Sequence, residues 1–247
     1  MNKPVSVGLS QRLQLDWLER TAQLQLSSAP QSEIRDELDL LLGKYLSVGT
    51  TSKAQTNRRK AINNLMRIWV SVPPDLEPLR DEGLRHLQSL PSDQHLPIHW
   101  GMAMVAYPFF QLMAETVGRL INLQGSVAAS QVYRRIYEQR GERSTVSRAA
   151  RRVLRTFIDW QVLKDTPEKG VYHPTLRQPI ENDSLALWLI EAALRASDAS
   201  SSPLKIITQT PALFPFNVEP MVAGKLSPNS RLEISRQGLD GKVVILK

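Results

Sequence analysis

Cysteine is absent from the 247 residues. That removes disulfides, thiolate metal sites and a cysteine nucleophile, and it fits a reducing compartment. Histidine is scarce: His86, His95, His99 and His173 are the four. Only His95 and His99 stand at a helical spacing, and Pro97 between them argues against one shared helix face, so no metal and no cofactor are expected. The chain has no phosphate-cradling G-x-x-x-x-G-K-[ST] loop, no dinucleotide-type G-x-G-x-x-G and no G-x-S-x-G elbow. Its acids are scattered over helix faces, and an enzyme is not expected. Aromatic residues make up 6%, without the studded sheet that stacks single-stranded bases. The longest apolar run, Trp100 to Ala114, is 15 residues and contains Pro108 and Gln111, short of the about 20 a membrane helix needs. The first 20 residues lack the apolar core of a signal peptide. The expected setting is cytoplasmic, with no membrane partner.

What is present is an ordinary globular balance, 42% hydrophobic and 22% charged, with a net charge of +7. Such a length supports one large domain or two small ones, and the basic balance favours polyanionic partners. Apolar residues recur at helical spacing over 11–26 (Leu13, Trp17, Leu18), within 27–46 (Ile34, Leu38, Leu41, Leu42, Tyr45) and over 50–70 (Ala61, Leu65, Ile68, Trp69). Ser32 with Asp36 and Glu37 predicts the start of the second helix. A long apolar helix is predicted from Trp100 to Asn122, with Pro108 as its kink or as the start of its second half. Glu115 within it is the one acid expected to be partly buried, against Arg119. Asp183 or Ser184 caps a helix over LALWLIEAALRAS, and SDASSSP at 197–203 reads as a joint. LKIITQT, RLEIS and KVVILK then alternate as strands, with GLDG as a turn.

The informative stretch is residues 124–175. Val132, Ile136 and Tyr137 mark a short amphipathic helix. Gly141 suits a tight turn with positive φ, and Ser144 or Thr145 can cap a second helix. That helix carries Val146, Ala150, Val153, Leu154, Phe157 and Ile158 on one face and Ser147, Arg148, Arg151, Arg152 and Arg155 on the other. Val162–Lys164 and Val171–His173 pattern as two strands around a loop. Between Gln131 and Arg155 there are eight arginines, no lysine, and only Glu138 and Glu142 as acids, a local excess of +6. Arginine's planar fork suits bidentate contact to phosphate or to guanine. A second basic cluster, Lys53, Arg58, Arg59, Lys60 and Arg67, occupies a segment free of acids from Thr50 to Val70.

Residues 124–175 resemble a winged helix-turn-helix domain of the bacterial type. More loosely, a helical body carrying such a domain is similar to small DNA-binding accessory proteins of BREX-type phage-defence clusters. The resemblance implies a mainly α fold: a helical bundle over 1–122, the winged helix-turn-helix over 123–180, and over 181–247 a helix followed by a small β-rich C-terminal appendage. It implies Ser144, Thr145, Ser147, Arg148, Arg151 and Arg152 in the major groove, Lys164 and Lys169 at the backbone from the wing, and Arg134 and Arg135 on flanking phosphates, with Arg143 and Arg155 completing the basic surface. Duplex DNA is then the expected partner of a non-enzymatic regulator or accessory subunit of a bacterial defence or DNA-processing system. Lys53, Arg58, Arg59 and Lys60 would be a second contact to the same duplex, or an RNA site. The alternative is a scaffold subunit of a nucleic-acid machine, its protein partner held through the C-terminal appendage and apolar surface around Leu213, Phe214 and Phe216.

Overall fold

The computed structural model describes residues 8–9, 11–46, 51–218, 231–237 and 241–247, as backbone only at 51–54 and 237. The fold is mainly helical. Six helices come first: α1 (Leu15–Leu26), α2 (Gln31–Gly43), α3 (Thr51–Trp69), α4 (Glu77–Ser89), α5 (Leu96–Ala106) and α6 (Pro108–Gln124). Strand β1 (Val127–Ala128), helices α7 (Ala129–Arg140) and α8 (Ser144–Asp159), and strands β2 (Leu163–Asp165) and β3 (Val171–Pro174) follow. The remainder is β4 (Gln178–Pro179), α9 (Asp183–Ala196), β5 (Ser201–Pro203), α10 (Leu204–Thr208), β6 (Phe216–Asn217), β7 (Leu232–Gln237) and β8 (Gly241–Leu246). The core is one contiguous cluster running from Leu9 to Val244. No helix among the described residues is long and apolar enough to cross a membrane.

The centre is α5. A helix apolar on every side must be enclosed, and Ile98, Trp100, Met102, Ala103 and Met104 are all fully buried. Its neighbour α9 is buried continuously from Leu185 to Leu194. The two approach closely because Gly101 has no side chain: a Cβ there would lie 2.6 Å from the Trp188 ring. Trp188 turns its indole N–H to the Leu79 carbonyl at 2.8 Å, which brings α4 to the same contact. The apolar run does not continue as one helix. Tyr107, before Pro108, is extended (φ −132°, ψ 94°), as a residue preceding proline prefers, and Pro108 opens α6 where its missing N–H costs nothing.

Several local expectations are corrected. Segment 204–208 is helical, not a strand. Pro203 presets its entry, and Leu204, Ile207 and Thr208 are buried at a helical spacing. The stretch read as a joint contains β5, which pairs with β8, and β7 and β8 pair antiparallel along 232–237 and 241–246; positions 238–240 of the expected turn lie outside the described residues. Helix α2 starts after Pro30 with Glu33 as its first-turn acid. Asn182, not Asp183 or Ser184, caps α9, its side-chain oxygen accepting from Leu185 N at 2.9 Å. Leu213, Phe214 and Phe216 are buried, not exposed.

Glu115 does pair with Arg119, but the most buried acid is Glu191, which is fully buried. It takes Arg195 and Arg231, each at 2.9 Å, and Arg231 also reaches Glu82. This network ties the start of β7 to α4 and α9. Removing one partner strands buried charge. Glu191→Ala should therefore destabilise the protein by roughly 3–5 kcal/mol, read as a lower midpoint in urea unfolding monitored by far-UV circular dichroism.

A second polar centre joins α1 to α5. One oxygen of Glu19 lies 3.0 Å from His95 Nδ1 and 3.0 Å from His99 Nε2. Pro97 does not separate the two histidines, because α5 begins at Leu96 and the proline occupies its first turn. The hydrogen bond from His99 holds the Glu19 carboxyl down to about 2, whereas burial pushes His99 below its ordinary value. Both shifts destabilise in acid. The unfolded chain takes up a proton at His99 below about pH 6.5, and the Glu19 contribution, full above about 4.5, is lost as pH falls toward 2. The melting temperature should fall below pH 6.5 and again below 4.5, and Glu19→Gln should abolish the second fall in a differential scanning series.

Candidate nucleic-acid interface

Three structural features locate the basic segment. First, β1, β3 and β2 form a small antiparallel sheet in that order, with Val127 opposite Tyr172 and Lys164 opposite His173. Second, Gly141 sits between α7 and α8 at φ 76°, a left-handed value that glycine adopts without a Cβ penalty. Third, the loop between β2 and β3 is closed by Thr166, whose hydroxyl donates to Glu168 O (3.1 Å) or Val171 O (2.9 Å) and accepts from Glu168 N at 3.2 Å. Gly170, at φ 82°, completes the turn, and its carbonyl accepts from Ala129 N at 2.8 Å, fastening the loop to the start of α7.

Helix α8 is split by burial. Val146, Ala149, Ala150, Val153, Leu154, Thr156 and Phe157 are buried, and Ile158 packs against the core edge. Its C-terminal half is anchored in the body. Phe157 stacks on Trp100 at 5.0 Å, Thr156 Oγ1 accepts from Leu13 N at 3.2 Å, and Trp160 donates to Leu13 O at 2.9 Å. The other face is open along the helix. Ser144, Arg148, Arg151 and Arg155 are all exposed and follow i, i+4, i+7, i+11, one stripe along the helix. Arg143, exposed, is the residue preceding the helix, and neither Ser144 nor Thr145 caps it with a side chain. Ser144 instead accepts from Arg148 through its carbonyl (3.2 Å) and hydroxyl (3.4 Å).

The remaining expected site residues are distributed around that stripe. Ser147 is turned to α7, where it accepts a 2.9 Å hydrogen bond from the Tyr137 hydroxyl and itself donates to Arg143 O at 3.2 Å. Thr145 and Arg152 lie on the opposite flank, toward α3. Arg155 is 3.4 Å from Asp159, which also faces Arg12 at 3.6 Å, so its charge is partly answered. Arg134 is exposed and 3.9 Å from Glu138, a separation at which a surface pair contributes little. Arg135 is half-buried. Lys164 and Lys169 are exposed on the hairpin, but Asp165 and Glu168 are exposed beside them, so the hairpin as a whole is not basic.

The second basic cluster does not stay together. Lys53 lies outside the described side chains. Arg58 pairs with Asp39 at 2.7 Å, and Arg59 shares a recess with Asp36 and Asp39. Arg67 lies over the Tyr107 ring at 4.9 Å. Only Lys60 joins the arginine helix: it lines a cavity with Thr145, Arg148 and Arg152. Sequence spacing carried no signal for this meeting, since Lys60 and Arg148 are far apart in the chain. Among the described residues, no group of three histidine or acid side chains is arranged to hold a metal.

Comparison of the chain with protein-family models, with curated proteins and with solved structures finds no match.

The orientation of α8 against α7 depends in part on the Tyr137 hydroxyl. Tyr137→Phe should cost about 1 kcal/mol, checked by denaturant unfolding, without altering the net charge.

Proposed function

We propose that residues 124–175 form a winged helix-turn-helix and that the protein binds duplex DNA, without catalysis, through α8. The observation that carries the reading is the exposed stripe Ser144, Arg148, Arg151 and Arg155 on a helix whose opposite face is fully buried. A rigidly seated helix that offers arginine forks along one open face suits a major groove, where each bidentate arginine–guanine contact discriminates by about 1–3 kcal/mol. The order helix, glycine turn, helix suits a helix-turn-helix unit, and the hairpin that follows it suits a wing. Exposed Lys164 and Lys169 then approach phosphates from the hairpin, Arg134 from the middle of α7 and Arg143 from the start of α8.

A protein-contact reading has a different support. Leu176 and Leu123 are 97% and 74% exposed, on either side of a hydrogen bond from Arg177 to Asn122. An RNA reading through 53–67 loses two of its cations to Asp39 and Tyr107.

The test is binding of labelled duplex DNA, duplex RNA and single strands over a salt series, with an Arg148→Ala/Arg151→Ala/Arg155→Ala variant whose fold is verified by thermal melting. The expected result is duplex DNA binding that weakens steeply with salt and falls roughly 100-fold or more in the variant. No duplex binding at low salt, or equal binding by the variant, overturns the proposal.

A further inference from the structure

The cavity between α3 and α8 has a volume of about 320 Å³ and is lined by Lys60, Thr145, Arg148, Ala149, Arg152 and Leu9. Three cationic side chains from two helices converge on it. Among the described residues none of the three is paired with a carboxylate, although Arg148 hydrogen-bonds to Ser144. Nearby charges elsewhere in the molecule are handled differently: Arg58 has Asp39, Arg155 has Asp159, and Arg231 has Glu82 and Glu191. Like charges brought together without a counter-charge repel one another, and an anion would relieve that repulsion. Burial and the neighbouring Arg148 both hold the Arg152 guanidinium below its ordinary value, which is the direction such crowding produces.

We infer that this cavity is a phosphate site, formed by Lys60, Arg148 and Arg152 with the Thr145 hydroxyl, that takes a phosphate of a bound nucleic acid. The donor set fits: a guanidinium fork offers paired N–H groups, an ammonium offers a point charge, and the hydroxyl a further donor. Its position fits as well. This part rests on the duplex reading. A major groove is about 12 Å wide, so a helix lying in it has a phosphate strand along each flank. One flank of α8 faces α7 and the hairpin. The other faces α3, where Arg152 and Lys60 stand. The helical body thereby supplies a contact that residues 124–175 lack by themselves. Both an internal phosphodiester and a terminal phosphate present the required oxygens.

The test has two independent readouts on the full chain. In the first, thermal melting is compared in sodium phosphate and in sodium chloride of equal ionic strength. Phosphate should raise the wild-type melting temperature, by mass action on the folded state, and Lys60→Ala and Arg152→Ala should each lose the rise while melting normally in chloride. An equal melting temperature in the two salts, or a rise kept by both variants, overturns the inference. In the second, the salt slope of duplex affinity should fall by about one in Lys60→Ala. An unchanged slope in a variant that still binds duplex overturns the site while leaving the role of α8 intact. A phosphate-specific rise without any duplex binding supports the site and overturns the duplex reading. Duplexes closed by hairpins at both ends separate the two sources: retained Lys60 dependence assigns an internal phosphodiester, and its loss together with a gain from 5′-phosphorylation assigns a terminal phosphate.

Discussion

The indole of Trp100 is the contact on which the arrangement turns. It sits on the enclosed helix α5, stacks on Phe157 of α8 at 5.0 Å, meets Phe110 of α6 at 5.1 Å, and touches Phe214 and Phe216 from the C-terminal segment at 5.5 and 5.7 Å. Its N–H donates to the Ala212 carbonyl at 3.0 Å, so the ring is buried without leaving a polar atom unsatisfied. Through these contacts the arginine-bearing helix is an extension of the body. That seating holds the helix that carries the exposed arginine stripe against the core.

The charge pattern follows from the same seating. Eight arginines crowd into 25 residues of sequence, but the fold sorts them by flank. Arg148, Arg151 and Arg155 stay on the open stripe, Arg152 turns to the α3 side, and Arg140 lies in a recess with Glu115 and Arg195 on another side of the molecule. The excess that looked uniform in sequence becomes one stripe with a flanking pocket. The hairpin, which carries two lysines and two acids, adds no net charge to it.

A chain without cysteine must hold its distant segments by other means. Here the C-terminal sheet is held by Val244 and Leu232 in the core and by Arg231 on Glu82 and Glu191, and α1 is held to α5 by Glu19 on His95 and His99. Both are polar junctions between segments remote in sequence. Each works only while every member is partnered, since the penalty for an orphaned buried charge exceeds the gain from a paired one.

Local chemistry was sufficient to read much of this molecule. The 3.6-residue recurrence of Val146, Ala150, Val153, Leu154 and Phe157 identified the buried face of α8, Gly141 identified the turn, and the alternation in 231–235 and 242–247 identified the final strands to within a residue or two, because each of these signals is a property of neighbours in the chain. Reading failed where tertiary contact overrode a local preference. Ile206 and Ile207 looked like strand but belong to α10, Ser147 looked open but is held by Tyr137, and Leu213, Phe214 and Phe216 looked like exposed surface but are buried, the two phenylalanines against Trp100. Composition and periodicity alone determined the helical class, the absence of thiol chemistry, and the basic helix. Only the tertiary structure decided that Lys60 meets Arg148 and Arg152, that Glu191 is the buried acid, and that Glu19 gathers two histidines, because these contacts are set by how helices pack against one another, and no one-dimensional spacing encodes them.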